Sequence, residues 1–208
     1  MTASVHRLMA MSAGSAPLFF LASAIVATLV TPGYSSVRDT FSLLAGPGMP
    51  HPWVIAAGFA GYGMLVQPLG PLLHGLVGRG WRGALLWTLV VVYGAGGVLA
   101  AVFRDGYEGP VLWGVSEDLG HDVVARMGFA AIITLTLVVP AMLRARADWE
   151  RWRRFSLVMG GLSLLLVVPF QLDAWPDGLG LLQRGFFATT MAWVLVTSLR
   201  MRGEARSS

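Results

Sequence analysis

Asp39, Asp105 and His121 are the side chains of this sequence best placed to move a proton. Arg38, Ser42, Arg126, Gln183 and Arg184 are those best placed to hold a polar ligand. The carboxyls would act as general acid or base, burial raising the pKa of such a group, with the imidazole assisting. Arginine donates two parallel hydrogen bonds to a phosphate, which suits an anionic headgroup. Ser42, His121 and an acid also have the composition of a hydrolase triad, an arrangement recognised by geometry and not by order, although no G-x-S-x-G elbow is present. His51, His121, Asp105 and Asp122 are chemically able to hold zinc, but their spacing does not suggest it, and His51 with His121 is the one pair that approaches the requirement for two axial haem ligands. No metal or other cofactor is expected.

These residues are costly where they stand. The chain has 208 residues, 55% of them hydrophobic and 12% charged, about half the charge of a soluble domain. Six runs approach the roughly 20 apolar residues a bilayer core requires: about 8–31, 53–73, 83–103, 123–143, 155–172 and 179–199. None alternates with period two, which excludes a β-barrel. The expectation is therefore an all-α, polytopic membrane protein, one domain over 1–208, with six transmembrane helices. A cleaved leader is the competing reading of the first run, which is longer than a signal core.

Cysteine and lysine are both absent. That excludes disulfides, thiolate metal sites, thiol nucleophiles, Schiff-base lysines and P-loop NTPase chemistry. The net charge of +4 comes from 15 arginines, and their placement speaks for topology, not for nucleic acid. With the N-terminus inside, Arg7, Arg79, Arg82, Arg144, Arg146, Arg151, Arg153, Arg154, Arg200, Arg202 and Arg206 fall on the inner side, 11 of the 15. Arg38 and Arg104 fall outside, and most acids, Glu108 among them, mirror this. The positive-inside rule then places both termini in the cytoplasm and the protein in the cell membrane. The run RARADWERWRR is a topology signal that can also touch anionic lipid. The eight tryptophans lie mostly near span ends, as an aromatic belt would.

The outer side holds the unusual features. In TPGYSSVRDTFSLLAGPGMPHP, turn residues bracket Val37, Phe41 and Leu44 at i, i+4 and i+7, the pattern of a short helix lying in the membrane interface or tucked over the bundle mouth. Arg126 and Arg184 lie inside predicted spans. Arg126 has Asp122 one turn earlier. Arg184 has no acid within a turn, so its partner must come from another element, with Asp39, Asp105 and Asp173 as candidates. Pro68, Pro71 and Pro140 are positioned to kink spans two and four, and Gly94, Gly96 and Gly97 to permit close helix packing.

TPGYSSVRDTFSLLAGPGMP after the first span resembles the DUF998 family of bacterial integral membrane proteins. Phe103 and Asp105 after span three, His121 leading span four, and GLGLLQRGFF entering span six support the resemblance. It implies a six-helix membrane fold and no particular activity. Leu43 stands where the family pattern has an acidic residue. Three functions remain open: a protein binding a lipid headgroup or amphiphilic small molecule at the outer cluster, an intramembrane enzyme (hydrolase or cyclase) acting on a lipid or isoprenoid, and a small-molecule transporter. Membrane lipids are the expected partners.

Overall fold

The computed structural model of the chain describes residues 2–78, 80–107, 109 and 114–204. Its helices are α1 (Ala3–Leu29), α2 (Pro52–Val66), α3 (Leu69–Val77), α4 (Trp81–Ala100), α5 (Glu117–Met142), α6 (Glu150–Gln171) and α7 (Leu179–Glu204). Six segments are long and apolar enough to cross a membrane, with α2 and α3 together forming the second. That span is interrupted at Gln67–Pro68, where proline supplies no N–H for the helix ladder while both residues keep right-handed helical dihedrals. Pro140, by contrast, sits in the last turn of α5 and leaves it continuous. Capping sets the start of α5, where the Ser116 hydroxyl accepts from Leu119 N at 3.2 Å.

Successive spans pack side by side, and α7 closes the ring against α1. An even number of spans puts both chain ends on one side, where His6 Nε2 meets the Met201 carbonyl at 3.0 Å. Glycines set the closest crossings. The α2–α4 contact runs through Gly63, Gly94 and Gly97, and the α4–α5 contact through Gly96 and Gly128. This is the close packing that the small residues of span three predict. Within the ring, Phe20 stacks on Phe187 at 5.2 Å and meets Phe41 edge-on at 5.3 Å, so the α1–α2 loop is packed into the aromatic core.

Two expectations are corrected. The segment after span one forms no amphipathic helix. Only Ser42–Ala45 is helical, as one 3-10 turn in which Ser42, Leu44 and Ala45 are buried and Leu43 is exposed. Phe41 and Leu44 point inward while Val37 is exposed, so the three residues do not share a face. The cause is competition by side chains for the main chain. Asp39 Oδ2 takes the Ser35 N–H at 2.6 Å, Thr40 Oγ1 takes the Leu43 N–H at 3.2 Å, and Gln183 Oε1 takes the Phe41 N–H at 2.6 Å. Nor do all tryptophans form a belt. Trp53, Trp81 and Trp175 are exposed near span ends, whereas Trp149, Trp152 and Trp193 are buried between helices. Trp193 Nε1 donates to Ser156 Oγ at 2.6 Å and Trp152 Nε1 to Thr197 Oγ1 at 3.2 Å, which satisfies these two indoles between α6 and α7. Arg79, Glu108, Trp113 and Arg206 lie outside the described residues.

Candidate functional site

The first turn of α7 is where the α1–α2 loop is fastened. Helix starts leave N–H groups without intrahelical partners. Here the Arg38 carbonyl accepts from Gly180 N and the Val37 carbonyl from Leu181 N, both at 3.1 Å. Such an approach needs a residue without a side chain, because a Cβ on Gly180 would stand 2.5 Å from the Asp39 oxygen and 2.8 Å from the Ser36 oxygen.

One turn further, Arg184 reaches back to the same loop. Its Nη1 donates to the carbonyls of Asp39 at 2.8 Å and Gly180 at 3.0 Å, and its Nη2 donates to the Tyr34 hydroxyl. The Tyr34 hydroxyl in turn donates to the carbonyls of Asp39 and Thr40. Phe41 lies under the guanidinium, 4.4 Å from ring centre to Cζ. Thus Arg184 does take its partner from another element, and from Asp39, but through the main-chain carbonyl. Among the described residues no carboxylate comes within ion-pairing distance of it. The Nε–H remains uncommitted to any described residue. With α7 beginning at Leu179, the guanidinium belongs to a residue five positions in, about 8 Å along the helix at 1.5 Å per residue.

Arg184 heads an apolar groove of about 370 Å³ between α1 and α7, whose walls include Leu21, Ala24, Ile25, Phe187, Ala188 and Met191. A second opening lies on the other side of α7. This vestibule of about 260 Å³ is lined by Thr40, Ser42, Asp105, His121, Asp122, Arg126, Gln171, Asp173 and Gln183, with apolar neighbours. Residues 183 and 184 are about 100° apart around a helix of 3.6 residues per turn, so the glutamine faces the vestibule and the arginine the groove. None of the residues lining one lines the other.

At the floor of the vestibule stand Ser42 and His121, 7% and 5% exposed. His121 Nδ1 lies 2.9 Å from the Phe103 carbonyl and Nε2 lies 3.0 Å from Ser42 Oγ. A carbonyl only accepts, so Nδ1 carries a hydrogen, and in the neutral imidazole Nε2 then offers its lone pair and the serine hydroxyl donates to it. The segment carrying Phe103 is held in place by the next residue. Glu117 takes Arg104 Nε at 2.7 Å, Nη2 at 2.9 Å and the Arg104 main-chain N–H at 3.2 Å. Beneath the pair is a smaller apolar chamber of about 50 Å³. Phe20, Phe59, Tyr62, Tyr93 and Phe187 line it together with Ser42, His121 and Gln183, which it shares with the vestibule.

Burial pushes the Asp105 carboxyl above its ordinary range. His121 pulls it back and the neighbouring Asp118 and Asp122 charges push it up further. A folded-state pKa above the unfolded one contributes stability that is full below the unfolded value, near 4, and lost as pH rises through the folded value. Asp105→Asn is therefore expected to raise the melting temperature of the detergent-solubilised protein near pH 7, with the advantage shrinking towards about pH 4. A thermal-unfolding series across pH checks both sign and trend.

The predicted cluster is thus brought together in part. Asp105, Ser42, His121, Arg126 and Gln183 share the vestibule, and Arg184 opens to the opposite groove. Arg126 pairs with Asp122 at 2.8 Å as an exposed i, i+4 bridge. Asp39 spends its carboxylate on the Ser35 N–H, and the exposed Arg38 contributes its carbonyl. Among the described residues no three His, Asp or Glu gather closely enough to hold a metal ion. Sequence reasoning did not single out Tyr34, Thr40 or Gly180 as site residues, and Tyr34 and Gly180 stand inside the two motifs that carry the family resemblance. Tyr62 and Tyr93, whose hydroxyls meet at 2.7 Å in the chamber, carried only the signal of tyrosines deep within apolar runs.

Six packed spans with polar chemistry concentrated at one end define a polytopic α-helical membrane protein. The family described as protein of unknown function (DUF998) matches residues 15–200, and the chain belongs to it. Among curated proteins and among solved structures, none matches the chain.

Proposed function

We propose that this is a cell-membrane protein with both termini in the cytoplasm, which binds an anionic amphiphile through Arg184. The observation that carries this reading is a half-buried guanidinium, free of any described carboxylate, at the head of an apolar groove between α1 and α7. Leaving a cation at that depth unpaired by an acid is costly, and a phosphate that accepts from Nε–H would offset the cost with a charge-assisted bond. The groove walls match a hydrocarbon chain, and the two features together match an amphiphile with a negative head. The skew of arginine to the side bearing the termini supports the orientation, which puts Arg184 in the outer leaflet.

Lipid extraction from the purified protein, followed by mass spectrometry, tests the reading. Wild type is expected to carry anionic phospholipid through purification, and Arg184→Gln to lose most of it while remaining folded. Equal anionic lipid on both proteins would contradict the proposal.

A further inference from the structure

We infer that the vestibule on the other side of α7 is an ester-cleaving site, with Ser42 as nucleophile and His121 as general base, acting on a short acyl ester of a polyhydroxylated head. It does not depend on the lipid groove, with which it shares no lining residue.

Three features carry it. First, the serine hydroxyl already donates to Nε2 at 3.0 Å, and the imidazole is held in that tautomer by the Phe103 carbonyl at 2.9 Å. A nucleophile bonded to a base that is itself oriented by a third group is the arrangement nucleophilic catalysis requires. A main-chain carbonyl does the orienting here, and Arg104 beside it is locked by Glu117. Second, the pair stands on a wall common to two cavities of opposite character, the polar vestibule and the apolar chamber. A contact serving only to fasten the loop to α5 has no need to face both. Third, Gln183 lines the same two cavities, and its Oε1 is committed to the Phe41 N–H at 2.6 Å. Its amide NH₂ is then the donor available to an oxyanion.

Dimensions and charge select the substrate. The chamber, about 50 Å³, accepts a short acyl group and excludes a long chain. Asp105, Asp122 and Asp173 outnumber Arg126 around the vestibule, so it accepts hydrogen bonds from hydroxyls and repels phosphate. In the first step Ser42 Oγ bonds to the ester carbonyl carbon and its proton passes to Nε2. The tetrahedral intermediate collapses, the C–O bond to the alcohol breaks, and the leaving oxygen takes the proton from Nε2. Water, deprotonated by the same nitrogen, then adds to the acyl-serine; the acyl–Oγ bond breaks, Nε2 returns the proton to Ser42 Oγ, and the carboxylic acid leaves.

A fluorophosphonate probe tests this without knowledge of the substrate, since an activated serine attacks phosphorus and expels fluoride. The full chain in mild detergent is expected to form an adduct mapped by peptide mass spectrometry to Ser42. Ser42→Ala should give no adduct, and His121→Asn should label about a hundredfold more slowly. Size-exclusion profile and melting temperature monitor folding of the variants. Should a variant fail to fold, wild type decides alone through labelling and through hydrolysis of p-nitrophenyl acetate in preference to the palmitate ester. No adduct at Ser42 on folded wild type overturns the proposal, as does a labelling rate unchanged by His121→Asn.

Discussion

Gly63→Ala is expected to lower the melting temperature of the detergent-solubilised protein severely or to abolish its accumulation in the membrane. A Cβ at that position would stand 2.2 Å from the Gly94 carbonyl oxygen and 2.9 Å from Val98 N. Both are main-chain atoms of α4 and cannot rotate aside, so the two helices must part. Overpacking a tight interior costs about 1–3 kcal/mol and sometimes more. In lipid there is little hydrophobic force to draw the helices back once small-residue packing is lost. The reciprocal change, Gly94→Ala, meets the Gly63 carbonyl oxygen at 2.5 Å and should behave alike. Gly75→Ala and Gly161→Ala, with nothing within 4 Å of the added carbon, should leave the melting temperature unchanged or slightly raised. Fluorescence-detected thermal unfolding of the four variants checks the contrast.

Gly180→Ala should release the outer loop while leaving the bundle assembled. The new carbon would press on the carbonyl oxygens of Asp39 and Ser36 at 2.5 and 2.8 Å. Relief requires lifting the loop, which breaks the bonds from Gly180 N, Leu181 N and Arg184 Nη1 to the carbonyls of Arg38, Val37 and Asp39. Arg38 is exposed, so trypsin reports the opening directly. Cleavage there tracks the open population, and an increase of about tenfold corresponds to roughly 1.4 kcal/mol of lost docking. The same variant should lose anionic lipid, because the groove residue Phe41 and the partners of Arg184 move with the loop.

Much of this was legible in the sequence because the bilayer imposes strong rules on it. Apolar runs of the right length, two of them carrying a single arginine, located all six spans, and Pro68 marked the break between α2 and α3. The lack of an acid near Arg184 on its own helix correctly demanded a partner from elsewhere. What escaped was information that no residue type displays. A main-chain carbonyl is present at every position, so the bond from Arg184 could be narrowed to three aspartates and not to the Asp39 carbonyl that accepts it. Arg126 and Arg184 stand at similar depth, but helix depth says nothing about azimuth, and the turn of α7 sends Gln183 and Arg184 to opposite openings. The stripe of Val37, Phe41 and Leu44 suggested a helix because periodicity ignores the Asp39, Thr40 and Gln183 side chains that claim the backbone. The burial of Trp152 and Trp193 escaped for a similar reason, since their Thr197 and Ser156 partners lie on another helix.

The central claim is that Arg184 recognises a negative headgroup above the α1–α7 groove. Native mass spectrometry of delipidated protein titrated with phosphatidylglycerol and, separately, with phosphatidylcholine of the same chains measures it most directly. A charge-assisted hydrogen bond contributes about 1.5–3 kcal/mol, so phosphatidylglycerol should bind wild type roughly ten- to hundredfold more tightly than it binds Arg184→Gln. Phosphatidylcholine, whose head carries no net charge, should bind both proteins weakly. Equal affinity of wild type for the two lipids, or phosphatidylglycerol binding indifferent to Arg184→Gln, would contradict it.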